Sequence, residues 1–243
     1  MEPQLTLSRW TFAFPVAAAA ALAGCSAPHS PAAPETPAAQ TPPESGLSAS
    51  EVAARNKQLL DAAEPFENLT ESAPSTSSAE LAALVDKAKA AAAGVASILD
   101  GKQGERLEAQ LDAIDSAIKT DDRTGVALAA VEGYRTLVES AADTGRVPQA
   151  VSLLDYSGFR FQADLSASPP RWDDAQSALA FAEGKWALVE PKVTDAKLKA
   201  DFTAALDTMG KAAQAKDVAL ARRASTRELD LVDGLEHYFS KMP

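Results

Sequence analysis

Apolar residues recur along this chain at intervals of three and four, the spacing that places them on one face of a helix. The clearest run is Leu81, Leu84, Val85, Ala88, Ala92, Val95 and Leu99, opened by Ser77-Ser78-Ala79-Glu80 and closed by Asp100-Gly101. A serine with a glutamate three positions later is a capping box, in which each side chain bonds the other residue's backbone N–H. Leu107, Leu111, Ile114 and Ile118 form a second stripe; Val126, Ala130, Tyr134, Leu137 and Ala141 form a third that closes near Gly145. An earlier box, Ser48-Ala49-Ser50-Glu51, predicts a helix running to about Ala63 and stopping at Pro65. Proline ends it because it lacks the N–H that would continue the ladder and its ring clashes with the preceding turn.

Beyond Pro148 the pattern begins again. Leu59-Leu60-Asp61 recurs as Leu153-Leu154-Asp155, 94 positions on. The stretch from Leu69 to Pro74 is echoed from Leu165 to Pro170, and Val126-Ala127-Leu128-Ala129 by Val218-Ala219-Leu220-Ala221, 92 positions on. Three matches in the same order, at nearly one offset, predict a tandem duplication. The second set of helices is expected near 148–163, 172–190, 195–213 and 217–239, punctuated by Pro170 and Pro191. Its third member carries the stripe Leu198, Phe202, Ala205, Leu206 and Met209. Abundant alanine with few glycines agrees with helices throughout. The expectation is an all-α chain of about eight helices, as two antiparallel four-helix units over 47–145 and 146–243, joined by short loops.

The start of the chain has another character. A polar opening with Arg9 leads into fifteen largely apolar residues, Trp10 to Gly24, fewer than the roughly 20 that cross a bilayer. The run ends in Leu22-Ala23-Gly24-Cys25, which contains the only cysteine. This tetrapeptide resembles the lipobox of bacterial lipoproteins. The resemblance implies that residues 1–24 are a signal peptide cut before Cys25. It further implies that the Cys25 thiol takes a diacylglyceryl group and the new amino terminus an acyl chain such as palmitate. Several chains hold a protein on a membrane firmly where one does not. Ser26 after the cysteine implies delivery to the outer membrane, facing the periplasm. Residues 25–46 then form the lipidated cysteine and a linker carrying Pro28, Pro31, Pro34, Pro37, Pro42 and Pro43. Such a segment cannot bury a core and is expected as an extended tether reaching at most about 60 Å.

Charge narrows the function. A net charge of -11 makes nucleic acid and anionic lipid poor partners. With Cys25 given to lipid no disulfide forms, so the fold stands on its core. The body has a single histidine, His237, and no His-x-x-x-His, Glu-x-x-His or Cys-x-x-Cys-His; neither a metal site nor a cofactor is expected. Glu228, Asp233 and Glu236 would bind a hard cation only if neighbouring helices contributed ligands. No Gly-x-Ser-x-Gly elbow or phosphate-cradling loop is present, so an enzyme is not expected. In outline, a tandem helical duplication on an exported chain resembles the imelysin-like proteins, but their Gly-x-His-x-x-Glu motif is missing and no activity carries over.

Large rings gather in the second copy, among them Tyr156, Phe159, Phe161, Phe181 and Trp186. Asp155, Tyr156, Arg160 and Trp186 are therefore candidates for a pocket that takes a small anionic or aromatic ligand. Arg160 would supply a bidentate fork and Trp186 a stacking face. The alternative reading makes the rings core and Arg160 an ion-paired side chain. The expected function is a membrane-anchored, non-catalytic binding or scaffolding module of the cell envelope. Its partners would be the membrane, through the lipid, and an envelope protein or small ligand. A ligand- or metal-sequestering protein is the alternative.

Overall fold

The computed structural model describes residues 46–242; the expected signal peptide, Cys25 and the expected linker up to residue 45 lie outside the described residues. The helices are α1 (Ala49–Ser72), α2 (Ser78–Val95), α3 (Gly101–Lys119), α4 (Arg123–Ser140), α5 (Gln149–Ser166), α6 (Trp172–Val189), α7 (Ala196–Ala215) and α8 (Val218–Ser240). Short 3-10 turns at Ala96–Ile98 and Glu190–Lys192 extend α2 and α6, and no strand occurs among the described residues. The chain is all-α. Among the described residues no helix is long and apolar enough to cross a membrane.

The serine boxes cap α1 and α2 as their spacing predicts, and Asp100 with Gln103 forms a third box at the start of α3. Pro65 does not stop α1. The helix continues another two turns to Ser72 because Phe66 and Leu69, both 0% exposed, are buried beyond the proline. Apolar burial there, worth about 1.5–3 kcal/mol for each large side chain, offsets the roughly 3 kcal/mol that an interior proline costs.

The two halves repeat one arrangement. α1 packs on α2 and α4 while α3 packs on α4; α5 packs on α6 and α8 while α7 packs on α8. The turns before α4 and α8 show the repeat atom by atom. Asp121 and Lys216 both adopt left-handed backbone, at φ 50° and 53°. The next residues, Asp122 and Asp217, donate their N–H to Ala117 and Ala212, at 2.9 and 3.0 Å. The same two aspartates then cap the following helix, accepting from Gly125 and Leu220. Each closes one helix with its backbone and opens the next with its side chain. These turns set the register of the fourth helices at 95 residues, Asp122 to Asp217. The Val126 and Val218 tetrapeptides, 92 apart, fall three residues out of that register.

The halves are not separate bodies; the described chain is one compact unit. Their junction is α5. Leu153, Tyr156, Phe159 and Ala163 enter the first core with Leu59, Phe66, Ile114 and Leu137. Val151, Leu154, Phe161 and Leu165 enter the second with Phe202, Met209 and Leu235. The duplicated Leu-Leu-Asp stretch shows the consequence. Leu60 on α1 is 44% exposed, whereas its counterpart Leu154 on α5 is 0% exposed.

The shared turn carries a prediction. Relieving the left-handed strain with Lys216→Gly should raise stability by about 0.5 kcal/mol. Asp217→Ala, which removes the cap, should lower it by about 1 kcal/mol. Urea denaturation measures both, and a harmless Asp217→Ala would show that this turn does not hold the repeat.

Candidate functional site

Of the three residues singled out beside Asp155, the structure brings two together and separates the third. Tyr156 and Arg160 lie on the α4 side of α5. The Tyr156 hydroxyl donates to Glu132 Oε1 at 2.8 Å, and Arg160 donates to the same oxygen at 2.5 Å and to Asp164 Oδ2 at 3.0 Å. Arg135 stands over the Tyr156 and Phe181 rings at 5.0 and 4.9 Å and donates to Glu139. Arg171 reaches the other oxygen of Asp164 at 3.7 Å. The Arg160 fork is thus spent on two carboxylates of the chain itself, one of them, Asp164, fully buried. Trp186 lies in the second core instead, stacked on Phe202 at 4.4 Å, with its indole N–H on Thr203. The predicted anion or aromatic pocket is not assembled. These side chains join helices.

Asp155 points elsewhere. It is 8% exposed and stands on the side of α5 that faces α1 and α8. Its environment is acidic. Glu236, Glu67, Glu228 and Asp233 all lie close enough to disfavour its charge, after burial itself, and together they push its carboxyl well above the usual range. Burial, then Glu71, Glu236, Asp233 and Glu64, raise Glu67 to about 7. Glu236 is raised by burial and by Asp233. The Tyr134 hydroxyl, which donates to the Ser152 carbonyl, is pushed up by burial and by Asp155, Glu67 and Glu236. No salt bridge neutralises Glu67, Asp155, Glu228, Asp233 or Glu236 among the described residues.

Glu228 is the most unusual member. It is 0% exposed, and neither carboxylate oxygen has a hydrogen-bond partner. Burial raises its carboxyl well above the usual range. Its carboxylate lies against Gly158, where a Cβ would come within 2.2 Å of Oε2. Gly158 is one helical turn from Asp155, on the same face of α5. In the cap-to-cap register of 95, Glu228 occupies the position that is Gly133 in the first half.

The first half supplies the contrast for Asp155 as well. Its counterpart Asp61, 94 positions earlier, is 61% exposed and paired with Lys57 at 2.6 Å. The position that is Lys57 in the first half is Val151 in the second. The buried copy has lost the cation that the exposed copy keeps.

No protein-family model, no curated protein and no solved structure matches this chain.

Farther along α5, between α1 and α8, lies a cleft of about 290 Å³ whose lining includes Thr70, Glu71, Phe159, Gln162, Arg222 and Thr226. His237, near the end of α8, belongs to a separate open surface with Asp195, Tyr238 and Lys241. Glu228, Asp233 and Glu236 gain acidic neighbours from α5 and α1 in Asp155 and Glu67, but no three such side chains among the described residues are placed to hold a metal ion. Glu67 carries no sequence signal. It is one glutamate of several on α1, and its neighbours come from far along the chain.

The two polar seams behave oppositely under substitution. Arg160→Met strands Glu132 and buried Asp164, and should cost about 3 kcal/mol in urea denaturation. The acidic seam responds to pH instead. Glu67, Asp155, Glu228 and Glu236 hold their protons to higher pH in the folded chain than in the unfolded one. Between the ordinary carboxylate range and about pH 7 the folded state therefore binds more protons, and stability falls as pH rises. The melting temperature of the metal-free chain should drop by about 2 °C or more between about pH 5 and pH 8, equivalent to roughly 1 kcal/mol. Glu67→Gln/Asp155→Asn should flatten that slope, and a rising profile in the parent would contradict the assignment.

Proposed function

We propose that this chain is a lipid-anchored, non-catalytic binding protein of the cell envelope that holds a small cationic ligand in the groove between α1, α5 and α8. One observation carries the reading: three helices from both halves bring carboxylates together around buried Asp155, and no basic side chain pairs with them among the described residues. Uncompensated charge of this kind costs stability, and ligand sites are where such a cost is retained. The distribution of apolar surface supports a small ligand over a docked protein partner. The exposed large apolar side chains among the described residues are few and belong to separate stretches of the chain: Leu47 before α1, Leu60 on α1, Leu188 near the end of α6 and Met242 after α8. The lipobox-like Leu22-Ala23-Gly24-Cys25 and the proline-rich linker support attachment at the outer membrane, with the helical body held off its periplasmic face.

Two measurements test the two parts. In a bacterium that processes lipoproteins, the parent should fractionate with membranes and Cys25→Ser should not; equal fractionation would remove the anchor. For the groove, a panel of small inorganic and organic cations is added to the purified full chain at fixed ionic strength. At least one should raise the melting temperature of the parent but not of Glu67→Gln/Asp155→Asn/Glu236→Gln. Saturation at 100 times Kd is worth about 2.7 kcal/mol. A parent indifferent to every cation in the panel would overturn the binding reading.

A further inference from the structure

The cleft between α1 and α8 is distinct from the acidic seam. None of Glu67, Asp155, Glu228 and Glu236 lines it. Its walls carry one charge of each sign, Glu71 from α1 and Arg222 from α8. No salt bridge joins these two, and none engages either with another residue among the described residues. Elsewhere opposite charges close on each other across helices, as Arg160 does on Glu132. Here both charges stay open on a single cavity of about 290 Å³, at the small end of the roughly 300–1,000 Å³ typical of small-molecule sites.

The first half has no such charge on its fourth helix. In the register of 95, Arg222 and Thr226 stand where the first half has Ala127 and Val131. Those two are 0% and 1% exposed and belong to the first core, whereas Arg222 and Thr226 are exposed. The helices differ in their cover: α4 packs on α1, α3 and α5, while α8 packs extensively on α5 and α7 alone. An apolar pair on α8 would need the cover that α4 has. The polar pair does not, and the space beside it is the cleft.

The remaining lining sets the chemistry of an occupant. Phe159 of α5, 6% exposed, offers an apolar ring. The Thr70 hydroxyl spends its proton on the Phe66 carbonyl and keeps its oxygen as an acceptor, and the Gln162 amide reaches Thr226 at 3.5 Å. A purely cationic molecule is repelled by Arg222 and a purely anionic one by Glu71. A short frame carrying both an ammonium and a carboxylate satisfies both walls. Guanidinium holds carboxylate through two parallel N–H donors, and a carboxylate accepts from ammonium. We propose that this cleft binds a free α-amino acid, with its carboxylate on Arg222, its ammonium on Glu71 and its side chain toward Phe159.

Calorimetric titration of the full chain with each of the twenty common α-amino acids tests this. At least one should bind, with one molecule per chain. Its decarboxylated amine and its deaminated acid should each bind roughly tenfold more weakly or worse, the loss of one charge-assisted contact. Arg222→Gln and Glu71→Gln should each weaken the amino acid by a similar factor. Arg223→Gln, on the neighbouring surface toward α7, should leave it unchanged. Arg222 and Glu71 are exposed, so neither exchange disturbs a core, and circular dichroism confirms that each variant is folded. Binding that Arg222→Gln and Glu71→Gln leave intact would place the amino acid elsewhere and overturn the site. An amine that binds as tightly as the amino acid, whatever stands at position 222, would overturn the zwitterion and favour the cationic ligand proposed above. No binding by any amino acid would overturn the cleft. The response to cations, read on Glu67→Gln/Asp155→Asn/Glu236→Gln, reports on the acidic seam and fails separately.

Discussion

Helix α5 sends Leu153, Tyr156 and Phe159 into one core and Val151, Leu154 and Phe161 into the other, so apolar burial on two faces fixes how the halves sit. Each of the two cores therefore contains buried residues of this one helix. The close approach of α8 follows from the same constraint. Gly158 lets the Glu228 carboxylate and the Leu229 side chain reach the backbone of α5, where any Cβ would collide with both. A helix so enclosed leaves little room for polar groups, and each polar residue on it must be met by a neighbour or remain unmet.

The two polar seams along α5 resolve that demand in opposite ways. Toward α4, the chain neutralises itself through Arg160, Glu132, Asp164 and Arg171, with Arg135 over the aromatic rings of Tyr156 and Phe181. Buried ion pairs of this kind add little net stability over apolar residues of the same size, but breaking one is costly. Their effect is to fix the relative position of α4, α5 and α6. Toward α1 and α8, no salt bridge neutralises Asp155, Glu67, Glu228 or Glu236 among the described residues. That seam works against the fold. The asymmetry between the seams, rather than acidity alone, is what the proposed binding role rests on.

Comparison of the halves strengthens this. Asp61 and Asp155 arise at equivalent places, yet one faces solvent beside Lys57 and the other is enclosed with valine in the lysine's position. Gly133 and Glu228 are likewise equivalent, and there the second half has gained a buried acid. Both differences add negative charge to the same groove.

The all-α class, the capping boxes and the repeated order of helices were legible in the residues, because capping and helical periodicity are local and act over three or four positions. The limits of that reading are equally physical. Pro65 was overridden by the burial of Phe66 and Leu69, a tertiary gain that no local rule contains. The 92-residue match at Val126 came from alanine-rich similarity, while the 95-residue register came from backbone bonds at two turns. Asp155, Tyr156, Arg160 and Trp186 do not meet in one pocket: Asp155 faces α1 and α8, Arg160 is held by the Glu132 and Asp164 carboxylates, and Trp186 lies in another core. Sequence alone determined which segments are helical and which faces are apolar. Only the tertiary structure decided that α5 is the helix shared by both cores, because burial depends on what the fold places on every side of a residue. That placement is what brought Glu67 of α1 and Glu228 and Glu236 of α8 around Asp155 of α5.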